Sequence, residues 1–210
     1  MSNAARIDKV VIASSNQGKL REFAQLFEAA ACKVAPQSDY NVPEAEETGL
    51  SFIENAILKA RNAALHAGCA ALADDSGLAV EYLHGAPGIY SARYSADEVD
   101  QVSDSSNNAK LLRALQGVPS AQRGARFICA LAFVAHAADP VPLVCTGEWH
   151  GLILEAPEGD AGFGYDPLFF VPAFNCSSAS LAPEIKNAHS HRGLAVKAMQ
   201  SELARRGILG

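Results

Sequence analysis

The sequence predicts an α/β fold, and three features carry that prediction. A short β-branched strand, Lys9 to Ala13, passes through a polar loop into a helix with one apolar face. A well-capped helix between Ser51 and Gly68 leads into the apolar run Ala70 to Ala73, and that run stops at two adjacent carboxylates, Asp74 and Asp75. An apolar run of this kind reads as a buried strand, whose carboxyl end is where α/β sheets hold their ligands.

Taken in order, the first helix spans Gly18 to Ala31, with Leu20, Phe23, Leu26 and Phe27 on one face. In the second, Ser51 and Glu54 form a capping box, Phe52, Ile53, Ile57 and Ala60 follow, and Gly68 closes the helix. After a Gly-Ala-Pro-Gly turn at Gly85 to Gly88, a third helix runs from about Ser106 to Gln116 and ends at Gly117 and Pro119. Arg126 to His136 and Val141 to Leu154 flank Ala-Asp-Pro and read as an antiparallel hairpin. A glycine-rich loop, Gly159 to Gly164, precedes Tyr165-Asp166-Pro167 and the apolar Leu168 to Val171. The last helix begins near Ser190 and reaches Arg206, with Gly207 as its stop. No repeat, low-complexity stretch or linker interrupts the chain, so 1–210 is expected to form one domain, or two lobes sharing a sheet. Met1 to Ala5 reads as a leader outside that fold.

Composition narrows the function classes. The chain has 210 residues, 49% of them hydrophobic and 19% charged, which is ample for a core and typical of soluble globular proteins. No apolar run is long enough to span a bilayer, and no basic segment followed by an apolar one marks a secretory signal. The five cysteines are odd in number, widely spaced and never in a C-x-x-C pair, which argues against disulfides or a zinc site and for a reducing cytoplasm. A net charge of −6 without a block of Lys or Arg leaves no footprint for duplex nucleic acid. A nucleotide ligand, if there is one, is small.

Four groups of residues could carry chemistry. Two carboxylates side by side call for a positive partner, and magnesium holding a phosphorylated substrate fits, because it prefers oxygen ligands. Asp75 would then be a general base or a metal ligand, and Asp74 a partner to another side chain or a cap. Glu46-Glu47-Thr48-Gly49 lies just before the second helix, on which Asn55 and Lys59 share a face; the plain alternative is a solvated acidic turn and an exposed polar pair. Ser14-Ser15-Asn16-Gln17-Gly18-Lys19 joins a strand to a helix, the place where free helix amides favour an anion. It lacks the leading glycine and the Ser or Thr of a Walker A loop, and it could be an ordinary helix cap. Near the carboxyl end, Lys186, Ser190, His191 and Arg192 gather where a helix starts, so an anion or a polar ring should compensate them. His191 and Arg192 could read the oxygens of a base, and Phe163 or Tyr165 could stack on it or belong to the core. A metal pair of His189 and His191 has no third ligand in view.

With these residues identified, the chain from about Lys9 to Gly207 resembles the inosine triphosphate pyrophosphatase family, which hydrolyses deaminated purine nucleoside triphosphates. The resemblance lies in Ser14 to Lys19, Glu46 to Gly49, Phe52-Ile53-Glu54-Asn55-Ala56, Ala73 to Leu78, Gly85 to Arg93, Phe163-Gly164-Tyr165-Asp166-Pro167 and Ser190-His191-Arg192-Gly193, in that order. It implies an elongated, two-lobed α/β fold around a twisted mixed sheet with a central nucleotide cleft, usually as a homodimer. It also implies hydrolysis of ITP, dITP and XTP to the monophosphate and pyrophosphate, with Mg2+, or Mn2+ in its place. By the same resemblance Asp75 would activate water, and Glu47 and Asp75 would bind the metal. Ser14, Ser15, Asn16, Gln17, Gly18, Lys19, Lys59 and Ser76 would hold the triphosphate. Phe163 would stack on the purine, Gly164, Tyr165 and Asp166 would shape its pocket, and Lys186, His191 and Arg192 would meet the 6-oxo edge.

Asn175, Ser180 and Ile185 depart from the family pattern, which has a common glycine at the first position and acidic residues at the other two. Two other readings stand beside this one. The scaffold could act on a different altered nucleotide, such as a modified pyrimidine, or it could sense a nucleotide without turnover. The presence of Glu46, Glu47, Asp74 and Asp75 speaks for catalysis.

Overall fold

The computed structural model describes residues 7–14, 16–24, 27 and 32–208. Met1 to Ala5, Ser15 and Leu26 lie outside them. Among the described residues there are seven strands and five α-helices: β1 (Lys9–Ile12), α1 (Gln17–Ala24), β2 (Lys33–Pro36), α2 (Phe52–Ala67), β3 (Ala70–Val80), α3 (Asp104–Ala114), β4 (Gly124–Val134), β5 (Leu143–Ile153), β6 (Phe169–Val171), β7 (Cys176–Ser177), α4 (Pro183–His189) and α5 (His191–Arg205). The strands form a mixed sheet in the order β2-β1-β3-β4-β5-β6-β7. β1 is parallel to β2 and β3, whereas β6 is antiparallel to β5 and β7.

By internal packing the chain divides into two compact units, the first of 1–75, 129–147 and 194–210 and the second of 76–128 and 148–193. In the first unit, strand alternation sorts the apolar residues onto two faces. Val10, Ile12, Leu72, Leu131 and Phe133 pack with Phe23 and Phe27 and with Ala195, Met199 and Leu203 of α5. Their neighbours Val11, Ala71, Ala73, Ala130 and Ala132 pack on the other side with Ala56, Ala60, Ala63 and Ala64 of α2. Parallel strands covered on both faces read as continuous apolar runs, which is the pattern of these strands in the sequence.

The second unit has its own core. Leu78, Val80, Leu111, Leu115, Phe127, Trp149, Tyr165, Leu168 and Phe169 are buried together, and the Phe169 ring lies 4.5 Å from Phe127 and 5.4 Å from Trp149. The buried Arg123 guanidinium donates to the carbonyls of Leu115, Ile153 and Leu154, so its charge is solvated by backbone oxygens.

Element boundaries differ from the expectations in ways that matter. β3 does not stop at Ala73; it continues through Asp74-Asp75-Ser76-Gly77 to Val80, because Leu78 and Val80 have a core of their own to fill. The third helix starts earlier, at Asp104, since Ser103 and Ser106 cap one another reciprocally. A separate short helix, α4, precedes Ser190, which ends it with an extended backbone before α5 begins. Among the described residues no helix is long and apolar enough to cross a membrane.

Candidate functional site

In the first unit, the continuation of β3 decides how the two aspartates work. Successive residues of a strand face opposite sides, and Asp74 and Asp75 accordingly find different lysines. The Lys19 ammonium donates to Asp74 at 2.7 and 3.0 Å, while the Lys59 ammonium donates to Asp75 Oδ1 at 2.8 Å and to Glu47 Oε1 at 3.0 Å. The positive partner that two neighbouring carboxylates call for is thus supplied by two lysines, in two separate pairs. Glu47, not the exposed Glu46, is the acidic partner, and α2 presents Lys59 to it.

Asn55 lies one turn before Lys59 and is fully buried. Its amide donates toward Asp75 Oδ2 at 3.4 Å while its oxygen accepts the Gly49 N–H at 2.9 Å, so it links the acidic loop to the aspartate. A side chain on Gly49 would collide with this link, because a Cβ there would meet Glu54 Cβ at 2.5 Å and Asn55 Oδ1 at 2.7 Å. Burial raises the Asp75 carboxyl above its ordinary value, with Lys59 opposing and Glu47 adding to the rise. Lys59 also rises: burial works against its charge, but Asp75, Asp74 and Glu47 together outweigh burial. Three carboxylates facing two ammonium groups leave one negative charge in excess. Glu47 and Asp75 offer hard oxygen donors, but among the described residues no three His, Cys, Asp or Glu side chains come together as a metal site, so a divalent cation there would need further ligands from phosphates.

At the start of α1, Asn16 Oδ1 accepts the N–H groups of Gly18 and Lys19 at 2.8 and 3.1 Å, and Ser14 Oγ accepts the N–H of Asn16 at 3.2 Å. The helix cap considered for this loop is therefore present, and Lys19 is the residue that extends beyond it to Asp74. Ser76 follows Asp75 in β3 and is half-buried.

In the second unit, the glycine-rich loop and α4 meet at Asp166. This buried carboxylate accepts the Phe163 N–H at 2.9 Å and the Lys186 ammonium at 2.5 Å on Oδ2, and the Ser178 hydroxyl at 2.8 Å on Oδ1. The Phe163 ring remains 58% exposed, with Lys186 Nζ 5.7 Å and Arg192 Cζ 5.6 Å from its centroid. Tyr165 separates from Phe163 in role. It is buried, its hydroxyl donates to the Ser91 carbonyl at 2.8 Å, and burial pushes that hydroxyl well up, so Tyr165 is a core aromatic that fixes the loop. His191 stacks on Phe127 at 4.9 Å, whereas His189 is exposed against the edge of Phe174.

The departures from the family pattern have local explanations at two positions. Asn175 adopts a φ of 51°, in the left-handed region that glycine enters freely and asparagine better than most residues. Ser180 shares a hydrogen bond of 3.0 Å with Ser177 beside the Gly159 turn. Sequence reasoning did not single out Ser178 as a support of Asp166, because it lies outside the recognised motifs. It placed Asn55 on one face with Lys59 but gave it no role, although the spacing of four was the signal that both belong to one site.

Comparison with known proteins gives the family. The chain belongs to the Ham1 family, whose model matches residues 10–202. It is 55% identical over 197 residues to a dITP/XTP pyrophosphatase of Pseudomonas syringae pv. tomato, covering 94% of this chain and 98% of that one. Among solved structures it is similar to a HAM1 protein from Coxiella burnetii, with a TM-score of 0.88 and 43% identity over 94% of this chain and 98% of that one. The Staphylococcus aureus Ham1 protein gives a TM-score of 0.86 at 39% identity, covering 94% and 99%.

Proposed function

We propose that this chain is a pyrophosphatase of non-standard purine nucleoside triphosphates. It hydrolyses substrates such as dITP, ITP and XTP to the monophosphate and pyrophosphate, which keeps deaminated purines out of nucleic acid. The observation that carries the reading is the cluster of Glu47, Asp74 and Asp75 with Lys19 and Lys59, on a chain 55% identical to a dITP/XTP pyrophosphatase.

In this reading Lys19, Lys59 and the Ser14 to Gly18 loop, with Ser76, hold the triphosphate. Asp75 takes the proton of a water that attacks the α-phosphorus, and the bond to the β-phosphate oxygen breaks. The burial that raises the Asp75 carboxyl makes it a better base than an exposed carboxylate. Asn55 holds the aspartate's other oxygen in place. Glu47 and Asp75 are the residues that would hold Mg2+, or Mn2+, and a bound metal supplies charge neutralisation on the phosphates. Phe163 stacks on the purine, and Lys186, His191 and Arg192 read its 6-oxo edge. A fixed donor there donates to O6 of hypoxanthine or xanthine and disfavours adenine, whose amino group leaves the donor unpaired. Lys186 is held for this task by Asp166. A reducing cytoplasm is the reading of five widely spaced cysteines with no C-x-x-C pair, and the homodimer rests on the family resemblance.

Asp75→Asn tests the mechanism, because it keeps the shape and removes the base. Turnover of dITP should fall on the order of 10²- to 10⁴-fold. Near wild-type turnover would refute the role assigned to Asp75.

A further inference from the structure

The geometry points to Asp104 and Asn108 of α3 as positioning residues for base recognition, acting through the Phe163-Gly164 peptide. The inference rests on the reading of Phe163 as the residue that stacks on the purine.

Gly164 adopts a left-handed φ of 62°, and both of its backbone polar groups are held from one helix. Its N–H donates to Asp104 Oδ2 at 2.6 Å, and its carbonyl accepts from Asn108 Nδ2 at 2.9 Å. Residues four apart share a helical face, so a single face of α3 brackets this glycine. On the other side of the ring's attachment, the Phe163 N–H is held by Asp166. The backbone that carries Phe163 is therefore fixed before and after its Cα, although the ring itself is 58% exposed.

An exposed ring buries little apolar surface and gives the fold little reason to immobilise it. Asn108 even accepts a penalty, because its Oδ1 is buried without a hydrogen-bond partner among the described residues. The helix that supplies the clamp is itself anchored: Asn107 accepts from the Ser95 N–H and donates to the Ala92 carbonyl, and Leu111 is fully buried. A ring held in its working position before the ligand arrives loses less freedom on binding.

The test compares KM and kcat for dITP in Asp104→Ala, Asn108→Ala and Asp104→Asn, each alone and combined with Phe163→Ala. Asp104→Ala should raise KM on the order of 10-fold with kcat within about 2-fold. Asp104→Asn, which keeps an acceptor for the Gly164 N–H, should recover most of the loss. With Phe163→Ala present, the Asp104 change should add less than about 2-fold, because residues acting through one group are not additive. Asn108→Ala leaves the Asp104 bond in place and carries the same comparison if Asp104→Ala does not fold. A full KM effect in the Phe163→Ala background overturns the inference, as does a fall in kcat at unchanged KM. A raised KM in Phe163→Ala beside silent Asp104→Ala and Asn108→Ala overturns this inference alone. An unchanged KM in Phe163→Ala overturns the stacking reading and this inference with it.

Discussion

The Lys59 ammonium donates to Asp75 Oδ1 at 2.8 Å, and the same α2 face places Asn55 against the other Asp75 oxygen. A buried carboxylate is thus oriented from both sides while Glu47 competes for the same cation. Removing the cation as Lys59→Met leaves two carboxylates facing each other. Stability should fall by about 2 kcal/mol, less than for a fully buried pair because both side chains keep some exposure. Turnover of dITP should fall about 10²-fold. Urea unfolding and initial rates measure the two effects, and no change in either would show that the pair supports neither fold nor catalysis.

Gly49→Ala probes the Asn55 link without touching a charge. The added methyl would meet Asn55 Oδ1 at 2.7 Å and push it away from Asp75. The expected result is a kcat reduced about 10-fold with the unfolding transition lowered by about 1 to 3 kcal/mol. Wild-type kcat in a folded Gly49→Ala protein would separate Asn55 from the work of Asp75.

Asp166→Ala leaves the Phe163 N–H, the Lys186 ammonium and the Ser178 hydroxyl without their acceptor. Loss of about 2 to 3 kcal/mol is expected from these unmet groups. Selectivity for ITP over ATP should also narrow, since Lys186 loses its fixed position. Unaltered selectivity, read as the ratio of kcat/KM values, would argue that Lys186 does not read the base.

The β4–β5 turn gives a pH prediction away from the site. Burial would raise Asp139, but the N–H groups of Ala135 and Val141, each 2.9 Å from its oxygens, together with His136 and Arg206 nearby, outweigh burial and hold the carboxyl below its ordinary value of 3.8. A depressed carboxyl stabilises the fold above that ordinary value, and the contribution is lost as pH falls through the depressed one. Wild type should therefore exceed Asp139→Asn by about 0.5 to 1 kcal/mol at pH 7 in urea unfolding, and the gap should shrink below about pH 4. A gap independent of pH would contradict the assignment.

How much of this was legible in the sequence varies with the residue. The helices declared themselves through Ser51 and Gly68 at the ends of α2, because caps are local chemistry. Lys59 and Asp75 were legible as candidates, yet their pairing was not, since the strand carrying Asp75 was expected to end at Ala73. Its continuation depends on a distant core around Leu78 and Val80 that no local pattern reveals. Phe163 and Tyr165 could not be told apart by local pattern, only by the family resemblance; burial of one and exposure of the other follow from packing around Ser91 and α3. Asp104 and Asn108 had no signal beyond their spacing of four, because the loop they hold is 56 to 60 residues away.

The central claim is tested most directly by pyrophosphate release from dITP, ITP, XTP, ATP and GTP at mildly alkaline pH, with magnesium and with EDTA. Rapid, magnesium-dependent release of pyrophosphate from the three deaminated purines, and slow release from ATP and GTP, is the predicted result. Equal turnover of all five, or release of orthophosphate in place of pyrophosphate, would contradict it.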